Sequence, residues 1–462
     1  MKVYIKTYGC QMNERDSENL AALLEERGHE IAASEAEADV FVANTCSVRE
    51  AAELKALGKL SRVASAKKAG KPIIGVMGCM SQNRGAEIIK AVPRIDFIAG
   101  TRQAGRIPEF IDEIARRRAT GDIPPDAPRG ERAKWKFNDA IIELGDDPSA
   151  HSDVRRHRPS LPPRVCAGIS VMQGCAMKCS YCIVPKTRGE ERSRPIGDIV
   201  REAEWLAARG TREITLLGQV VNAYGRGQIE ISEKKTPFVQ LLERLQEVRG
   251  LERIRFVSPH PSYFKADLIS AYGRLSKLCE YAHLPLQSGS NAVLRRMRRP
   301  YTAGRFLEIV EGLRAARPGM SISTDVIVGY PGETEEDFQK TLEIFKKSAF
   351  DMAYIFKYSP RAGTPSAAIP DDVPEHEKER RNQILLEALQ EQSLAFNDAM
   401  VGSVREVLCE SPAKRGEGNM MGRTRTHRKV IFAAPPESAG SLLNVRILRA
   451  GVSAMEGETV QA

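Results

Sequence analysis

The sequence predicts an α/β protein of three parts: an N-terminal doubly wound α/β domain, a central partial (β/α)6 barrel and a small C-terminal β-barrel. Strand-like and helix-like runs alternate over residues 1–120, and the alternation resumes from Arg164 to about Lys357. Residues 401–460 instead show short alternating runs with glycines between them. Alternating strands and helices are typical of parallel sheets covered by helices, and short strands without helices are typical of small barrels.

These patterns place the domain boundaries at 1–120, 121–163, 164–396 and 397–462. We interpret residues 121–163 as a linker, because prolines interrupt a polar stretch that has little hydrophobic periodicity. A basic run, Arg155-Arg156-His157-Arg158, lies in this linker. Such runs are usually solvated surface, and contact with RNA is the alternative.

Composition limits the classes of partner. The chain has 462 residues, a formal net charge of +9 and nine cysteines. The positive charge favours an anionic partner, with nucleic acid as the first candidate. No apolar run is long enough for a membrane span, and the start of the chain lacks the apolar stretch of a signal peptide. An odd number of cysteines in a long chain is not typical of a disulfide framework, so we expect a reducing cytoplasm and no membrane partner.

One loop carries three cysteines at the spacing C-x3-C-x2-C: Cys175, Cys179 and Cys182. Three thiolates are one short of a closed four-ligand site, for zinc or for a cubic iron–sulfur cluster. Either a remote fourth ligand completes the site or one metal position is open for chemistry. A zinc knuckle or three structural thiols is the alternative interpretation.

A second set of cysteines follows three strand patterns of the N-terminal domain: Cys10, Cys46 and Cys79. Loops at the carboxyl ends of parallel strands open onto one edge of the sheet, where ligands bind. The pattern therefore predicts a shared second metal site, with three buried cysteines acting as small hydrophobes as the alternative. We interpret Cys166, Cys279 and Cys409 as packing residues.

Small and polar residues recur where the central strands end, for example at Gly218-Gln219 and at Ser258-Pro259-His260-Pro261. A barrel of parallel strands keeps its chemistry at this end. In the C-terminal region, Arg423, Arg425, Arg428 and Lys429 place four cations close together without an acid. This stripe is a candidate for phosphate contact, and a solvated hairpin is the alternative.

The whole chain outside the linker resembles the radical S-adenosylmethionine (SAM) methylthiotransferase family, in its branch acting on isopentenylated tRNA. The segments that carry the resemblance are Thr7-Tyr8-Gly9-Cys10-Gln11-Met12-Asn13, Asn44-Thr45-Cys46-Ser47-Val48-Arg49-Glu50, Gly75-Val76-Met77-Gly78-Cys79-Met80 and the loop from Gln173 to Gly189. The C-terminal segment resembles the RNA-binding TRAM domain of that family, and the central domain its radical SAM barrel.

The resemblance implies two [4Fe–4S] clusters, an auxiliary one on Cys10, Cys46 and Cys79 and one on Cys175, Cys179 and Cys182 that binds SAM. It also implies methylthiolation of carbon 2 of N(6)-dimethylallyladenosine at position 37 of tRNA. One SAM would donate the methyl group and another the deoxyadenosyl radical, because radical chemistry belongs to the cofactor. We expect no catalytic residue beyond the cluster ligands.

Further expectations concern partners and alternatives. We expect Gly218 and Gln219 to line the SAM pocket. The residues expected to bind RNA are Arg423, Arg425, Arg428 and Lys429. We also expect that the protein needs a reducing electron donor and that it is a monomer. The alternatives are a sister methylthiotransferase that modifies threonylcarbamoyl-adenosine in tRNA or a ribosomal protein, and an iron–sulfur protein that binds RNA without turnover. A structural zinc protein is a further alternative.

Overall fold

The computed structural model describes residues 1–47, 50–66, 72–120, 140–145, 163–414 and 416–460. The chain divides into two compact units. The first comprises Met1–Leu161, Gln173–Ala176 and Ile183–Glu191, and the second comprises Pro162–Met172, Met177–Cys182 and Arg192–Ala462. Most of the predicted linker, including the basic run at 155–158, lies outside the described residues.

The first unit is built on a parallel sheet of six strands in the order β2-β1-β3-β4-β5-β6. The strands are β1 (Lys2–Thr7), β2 (Glu30–Ile31), β3 (Val40–Thr45), β4 (Ile73–Gly78), β5 (Phe97–Ala99) and β6 (Ile141–Glu143). β3 and β4 are buried along their whole length, as expected for strands covered on both faces. β6 lies in the stretch interpreted as a linker. Its three residues were too short a run to show a strand period, and only pairing with β5 defines them.

Four helices cover this sheet: α1 (Gln11–Glu26), α2 (Glu50–Ala66), α3 (Cys79–Ala91) and α4 (Ile107–Ala119). Apolar residues of α1 and α4, such as Leu20 and Phe110, form one core with Val42. Residues of α2 and α3, such as Leu60 and Ile88, form another core. Two cores on opposite faces of one parallel sheet confirm the doubly wound fold.

The second unit contains six parallel strands that follow chain order. They are β7 (Cys166–Ser170), β10 (Glu213–Leu217), β11 (Arg253–Phe256), β12 (Tyr281–His283), β13 (Ser321–Val328) and β14 (Met352–Lys357), with β9 (Arg192–Ser193) as a short addition. The short β8 (Met172–Gln173) has one residue in each unit. β7, β10 and β11 form one run and β12, β13 and β14 another. A parallel bridge between Ile254 and Leu278 connects the two runs. The order confirms the predicted partial (β/α)6 barrel.

Helices alternate with these strands: α6 (Ile196–Ala208), α7 (Pro237–Gln246), α8 (Ala266–Arg274), α9 (Asn291–Arg296), α10 (Ala303–Ala316), α11 (Glu335–Ser348) and α12 (Glu375–Asp398), while the short α5 (Val184–Arg188) belongs to the first unit. Local signals start several of them. Pro237 lies in the first turn of α7, and Thr334 and Asp337 form a capping box at α11.

Residues alternate between the two faces of the barrel strands, as the strand period requires. Ala282 and Ile322 point outward into the core shared with the helices. Tyr281, His283 and Ser323 point to the opposite face, the inside of the partial barrel, where the Ser323 hydroxyl bonds both rings. The inner face is therefore polar where the outer face is apolar.

The C-terminal part of the second unit is a closed five-stranded barrel in the order β15-β16-β17-β19-β18. Its strands are β15 (Val404–Pro412), β16 (Asn419–Thr424), β17 (Lys429–Ala433), β18 (Leu442–Arg449) and β19 (Met455–Thr459). A small core that includes Val407, Phe432 and Ile447 fills it. This barrel confirms the third predicted part of the fold. In the described part of the chain, no helix is both long and apolar enough to cross a membrane.

Candidate metal centres and strand-end site

Cys10, Cys46 and Cys79 follow β1, β3 and β4, three strands that are neighbours in the sheet. Cys10 is exposed, whereas Cys46 and Cys79 are buried. The three thiols therefore lie at one edge of the sheet, where the sequence predicts that they meet. Like the other six cysteines, they are free of disulfide bonds.

Two glycines allow the strand ends at this edge to approach each other. Gly9 has φ +151°, and a Cβ placed on it would lie 2.8 Å from the Cβ of Cys46. Gly78 has φ +102°, and a Cβ there would lie 2.4 Å from the carbonyl oxygen of Thr45. Each close approach leaves room only for glycine. The positions of the neighbouring Cys10 and Cys79 therefore depend on this close packing of the backbone.

A buried cation lies in the same unit beside these thiols. The Nη2 atom of Arg188 lies 2.7 Å from Oδ2 of Asp16, and both side chains are largely buried. Burial raises the pKa of the Cys79 thiol, and the charge of Arg188 opposes this rise. Burial would lower the pKa of Arg188, but the charges of Asp16 and Cys79 outweigh it and raise that pKa. A thiol of this kind becomes a thiolate readily only with help from a cation or a metal.

The donor set of three thiols at adjacent strand ends is compatible with a cubic cluster. Within the described ranges, no three His, Cys, Asp or Glu side chains converge closely enough to hold one metal ion. A cubic cluster binds each thiolate on a different iron, so its ligands need not converge on one point. Three thiols, two of them buried, at adjacent strand ends with a cation beside them match that requirement.

The second set of cysteines lies in the loop between β8 and α5. Cys175 belongs to the first unit, where its N–H donates to the carbonyl of Gly189 (3.0 Å). Cys179 and Cys182 belong to the second unit, where the N–H of Cys182 donates to the carbonyl of Cys179 (3.2 Å). A Cβ on Gly174 (φ +79°) would lie 1.8 Å from the carbonyl oxygen of Glu190, so this loop also needs glycine.

Arg299 contacts the cysteine loop, and the sequence analysis does not single it out. Its Nη1 atom donates to Sγ of Cys179 over 3.4 Å, and the side chain is buried. Burial would lower the pKa of Arg299, but the charges of Tyr181, Tyr301 and Cys179 raise it. Arg299 therefore stays a cation against the sulfur, which suits a thiolate. Arg299 belongs to no motif of characteristic spacing, because its partner Cys179 is 120 residues away and only Tyr301 is a close neighbour in sequence.

The same unit fixes the loop by a second set of contacts. The Ser180 hydroxyl lies 2.8 Å from the Tyr330 hydroxyl and 2.9 Å from the carbonyl of Arg296, to which it donates. The N–H of Ser180 donates to the carbonyl of Met297. These bonds hold the residue between Cys179 and Tyr181 against the end of α9.

The ends of β10 and β11 present unpaired polar atoms. Gln219 Oε1 and His260 Nε2 are buried and have no hydrogen-bond partner among the described residues. Asn222 connects the two loops, because its side chain donates to the carbonyl of His260 and accepts from the N–H of His260. Burial, together with the charge of Arg299, lowers the pKa of His260 to about 2. Buried unpaired polar atoms are rare in proteins and indicate a place for a ligand or a bound water.

Gly218 packs tightly at the end of β10, since a Cβ there would lie 2.6 Å from Cγ of Met172. Its role in the structure is thus close packing, which is compatible with lining a pocket and does not require it. His260 was noted in the sequence only as part of a polar strand end.

Two family models match the chain: the uncharacterized protein family UPF0004 over residues 2–100 and the radical SAM superfamily over residues 169–345. A tRNA-2-methylthio-N(6)-dimethylallyladenosine synthase from Opitutus terrae is 50% identical over 100% of this chain and 98% of its own length. The synthase of the same name from Akkermansia muciniphila is 46% identical over 96% of each chain. The chain belongs to this synthase family.

The family lies within the radical SAM superfamily, so the chain is a radical SAM enzyme whose cofactors include SAM and a [4Fe–4S] cluster. Its fold also resembles a solved structure, the radical SAM methyltransferase TsrM from Kitasatospora setae with tryptophan and a SAM analogue bound. The TM-score is 0.53 at 15% identity, over 79% of this chain and 75% of that chain. At this identity the likeness concerns the fold alone.

The basic stripe of this chain, Arg423, Arg425, Arg428 and Lys429, lies where β16 turns into β17. Arg423 pairs with Glu410, Arg425 pairs with Glu280 (2.7 Å), and Arg428 pairs with Asp351 (2.7 Å). Lys429 is exposed. A phosphate that bound any of the three arginines would compete with a carboxylate already in place.

The turn between these strands docks on the barrel strands instead. Arg253 and Arg255 are buried at the inner face of β11 and donate to the carbonyls of Arg423, Thr424 and Arg425 over 2.7–2.9 Å. The ring of His427 lies 4.8 Å from that of Tyr281. The turn therefore closes the end of the partial barrel at which the strands begin. The sequence shows no sign of this, because the hydrogen-bond partners are 169 or 170 residues apart.

Proposed function

We propose that this chain methylthiolates carbon 2 of N(6)-dimethylallyladenosine at position 37 of tRNA. The observation that carries the proposal is the presence of two separate sets of three cysteines, one at three adjacent strand ends and one at the spacing C-x3-C-x2-C. The names of relatives that match the full chain at 46–50% identity support the substrate.

We propose a different cluster for each set of cysteines. Cys175, Cys179 and Cys182 would hold the [4Fe–4S] cluster that binds SAM, and Cys10, Cys46 and Cys79 would hold a second [4Fe–4S] cluster. Each set leaves one iron of a cubic cluster without a protein ligand. When bound, the first cluster with SAM supplies a deoxyadenosyl radical, and the second supplies the sulfur that replaces hydrogen on carbon 2 and carries a methyl group from another SAM.

The residues of the chain hold and shield these groups. Arg299 donates to the Cys179 sulfur and so would position that ligand, and Arg188 offers a buried cation beside Cys79. The hydrogen bonds of Ser180 fix the loop that presents Cys179 and Cys182. None of these residues exchanges a proton in the proposal.

We propose that SAM contacts the ends of β10 and β11. Gln219 Oε1 is an acceptor for an N–H or O–H of SAM, and His260 Nε2 is a second polar atom in the loop after β11. Gly218 would line the same place. The burial of both unpaired atoms supports this assignment, because a ligand would satisfy them.

We propose RNA contacts on the C-terminal barrel. Lys429 is exposed and is proposed to contact a phosphate directly, whereas Arg423 would first have to leave Glu410. Arg425 and Arg428, which were predicted in the same role, are engaged by Glu280 and Asp351 and are proposed to act there only after those ion pairs open. The domain boundaries at 120, 163 and 396, a monomeric state, a cytoplasmic location and an external electron donor also remain proposals.

The test uses protein purified without oxygen and reconstituted with iron and sulfide. Iron and acid-labile sulfide should each reach roughly eight per chain if both clusters are cubic. After incubation with SAM, a reductant and tRNA that carries dimethylallyladenosine, mass spectrometry of the nucleosides should show the methylthio product. A product only on threonylcarbamoyl-adenosine, or only on a ribosomal protein, would replace this function by that of a sister enzyme. Deoxyadenosine without any methylthio product would refute both.

A further inference from the structure

β14 presents two exposed aromatic rings to the inside of the partial barrel. Tyr354 and Phe356 are 46% and 42% exposed. Ala353 and Ile355 alternate with them and pack into the core shared with the helices. Strand alternation therefore places both rings on the inner face. Among the Phe, Tyr and Trp residues that the structure describes, only these two are exposed.

The ring of Phe356 lies on the side of the cysteine loop. Phe356 is the register partner of Ile327 on β13. Ile327 packs in a cluster with Tyr181, the residue next to Cys182 in the loop. The exposed ring is thus one strand away from a residue that shares an apolar cluster with Tyr181 of the loop, within the same unit.

The ring of Tyr354 lies beside the polar pair His283 and Asp325. Tyr354 is the register partner of Asp325, and its ring centroid lies 6.3 Å from that of His283 at 64°. His283 in turn lies 3.2 Å from Oδ2 of Asp325. The Asp325 side chain is 29% exposed, so its carboxylate can accept a further hydrogen bond. On the inner face of β13 and β14, Phe356 therefore lies toward the cysteine loop, and Tyr354 lies beside the hydrogen-bond acceptor Asp325.

This arrangement matches the chemistry of a modified adenine. β14 is at the edge of its sheet, where exposed apolar side chains invite association and usually mark a binding surface. An unstacked base offers a flat face to aromatic side chains, and protein–base stacking is tolerant of base identity. A dimethylallyl group adds apolar surface, and the remaining N6–H of the adenine is a donor.

We propose that Tyr354 and Phe356 form a stacking platform for the dimethylallyl-adenine of the tRNA substrate, with Asp325 accepting a hydrogen bond from its N6–H. The platform rests on the proposed function, and it deepens that function by naming the part of the chain that selects the modified base. The rings discriminate by contact with the dimethylallyl group, which an unmodified adenine lacks.

The experiment measures binding of two anticodon stem–loop RNAs that differ only in dimethylallyladenosine or adenosine at position 37. Tyr354→Thr and Phe356→Thr remove the rings and keep a residue that suits a strand. Each should weaken binding of the modified RNA by about 5- to 150-fold, the range that loss of one base stack produces. The adenosine RNA should lose less, so the preference for the modified RNA falls. Asp325→Asn should weaken both RNAs to a similar degree, because adenine carries an N6–H with or without the dimethylallyl group.

Controls separate this result from misfolding. Tyr354→Phe keeps the ring and should bind the modified RNA as the wild type does. Leu386→Ala alters an apolar side chain on α12 that is exposed to the same degree (42%) and should change neither affinity nor product. Iron content and the visible spectrum of each variant report that the clusters and the fold are present.

Three outcomes would decide against the platform. Threonine variants with wild-type affinity and wild-type preference would refute it, while methylthio product from the wild type would leave the proposed function intact. Equal losses on both RNAs in the threonine variants would assign the rings to general RNA contact. Loss of a wild-type dimer in the variants without loss of RNA affinity would assign the face to a second copy of the chain. Failure of the wild type to modify the dimethylallyl RNA would instead refute the proposed function.

Discussion

Nη2 of Arg428 lies 2.7 Å from Oδ1 of Asp351 in an ion pair whose side chains are only 9% and 5% exposed. Arg428 also donates to the carbonyl of Asp351 and to the Ser393 hydroxyl. Asp351 in turn accepts from the N–H of Ile322 on β13. One arginine of the predicted RNA stripe thus connects the C-terminal barrel to the strands of the central barrel.

Removal of this ion pair should destabilise the second unit. Arg428→Ala leaves the Asp351 charge buried without its partner, which typically costs about 3–5 kcal/mol. Arg446→Ala is the control, since Arg446 and Glu458 form an exposed pair (3.9 Å) expected to contribute about 0–1 kcal/mol. Urea unfolding followed by circular dichroism would measure both. Equal unfolding midpoints for the two variants would show that the buried pair contributes little.

Lys429 should make a direct phosphate contact, and its replacement should reduce the salt dependence of tRNA binding. Lys429→Ala is expected to lower the slope of log affinity against log salt by about 1, with a smaller affinity at every salt concentration. Lys340→Ala provides a matched control on the exposed face of α11, where Lys340 pairs with Glu336. A slope that does not change in Lys429→Ala would show that this cation is ordinary surface.

The two cysteine sets should lose iron independently. Cys46→Ala and Cys179→Ala should each retain about half of the iron, because each cluster is held by its own thiolates. Only Cys46→Ala should still release deoxyadenosine on reduction, and neither should form methylthio product. Cys166→Ala removes a cysteine outside both sets and should keep all the iron. Near-normal methylthiolation by Cys46→Ala would mean that the strand-end cysteines are structural.

Gly78 should be required for the strand-end cluster. A Cβ on Gly78 would lie 2.4 Å from the Thr45 carbonyl, and φ +102° is strained for other residues. Gly78→Ala should therefore separate the ends of β3 and β4 and halve the iron content in the way that Cys46→Ala does. Gly210→Ala has a positive φ (+95°) but open space around its Cβ, and it tests strain alone. Full iron content in Gly78→Ala would show that the edge tolerates a wider spacing.

His260 should contribute a pH-dependent stability. Its pKa is lowered to about 2 by burial and by Arg299, while the unfolded chain has the ordinary value near 6.5. Below pH ~6.5 the unfolded state binds the extra proton, so stability is full above that pH and falls as pH drops toward the folded pKa. Between pH 6.5 and 5, wild type should lose up to ~1.4 kcal/mol per pH unit more than His260→Gln. Parallel stability curves for the two proteins would contradict a neutral His260.

Part of the site could be predicted from the sequence because its information is local. The C-x3-C-x2-C spacing lies within one loop, and the other three cysteines each follow a strand pattern directly. Parallel strands open their carboxyl ends to one edge, so topology alone brings Cys10, Cys46 and Cys79 to one side of the sheet. The alternation of strands and helices likewise predicted the three parts of the fold, which the structure confirms.

Other features depend on residues that are distant in sequence. Arg299 reaches Cys179 from 120 positions away, and Arg425 reaches Glu280 from 145 positions away. A basic run shows its charge in the sequence but not its partners, so the sequence could not show that Arg423, Arg425 and Arg428 form ion pairs within the protein. β6 is too short to show a period, and only its pairing with β5 reveals it.

The sequence by itself determined the ligand types, their spacing and the order of strands and helices, because each depends on neighbours along the chain. Tertiary structure decided which surfaces face a ligand. Met352–Lys357 is apolar on both faces, so its alternation could not show which face meets the helices. Only packing against α12 and the register with β13 leave Tyr354 and Phe356 exposed inside the barrel, because burial depends on what the rest of the chain places beside a strand.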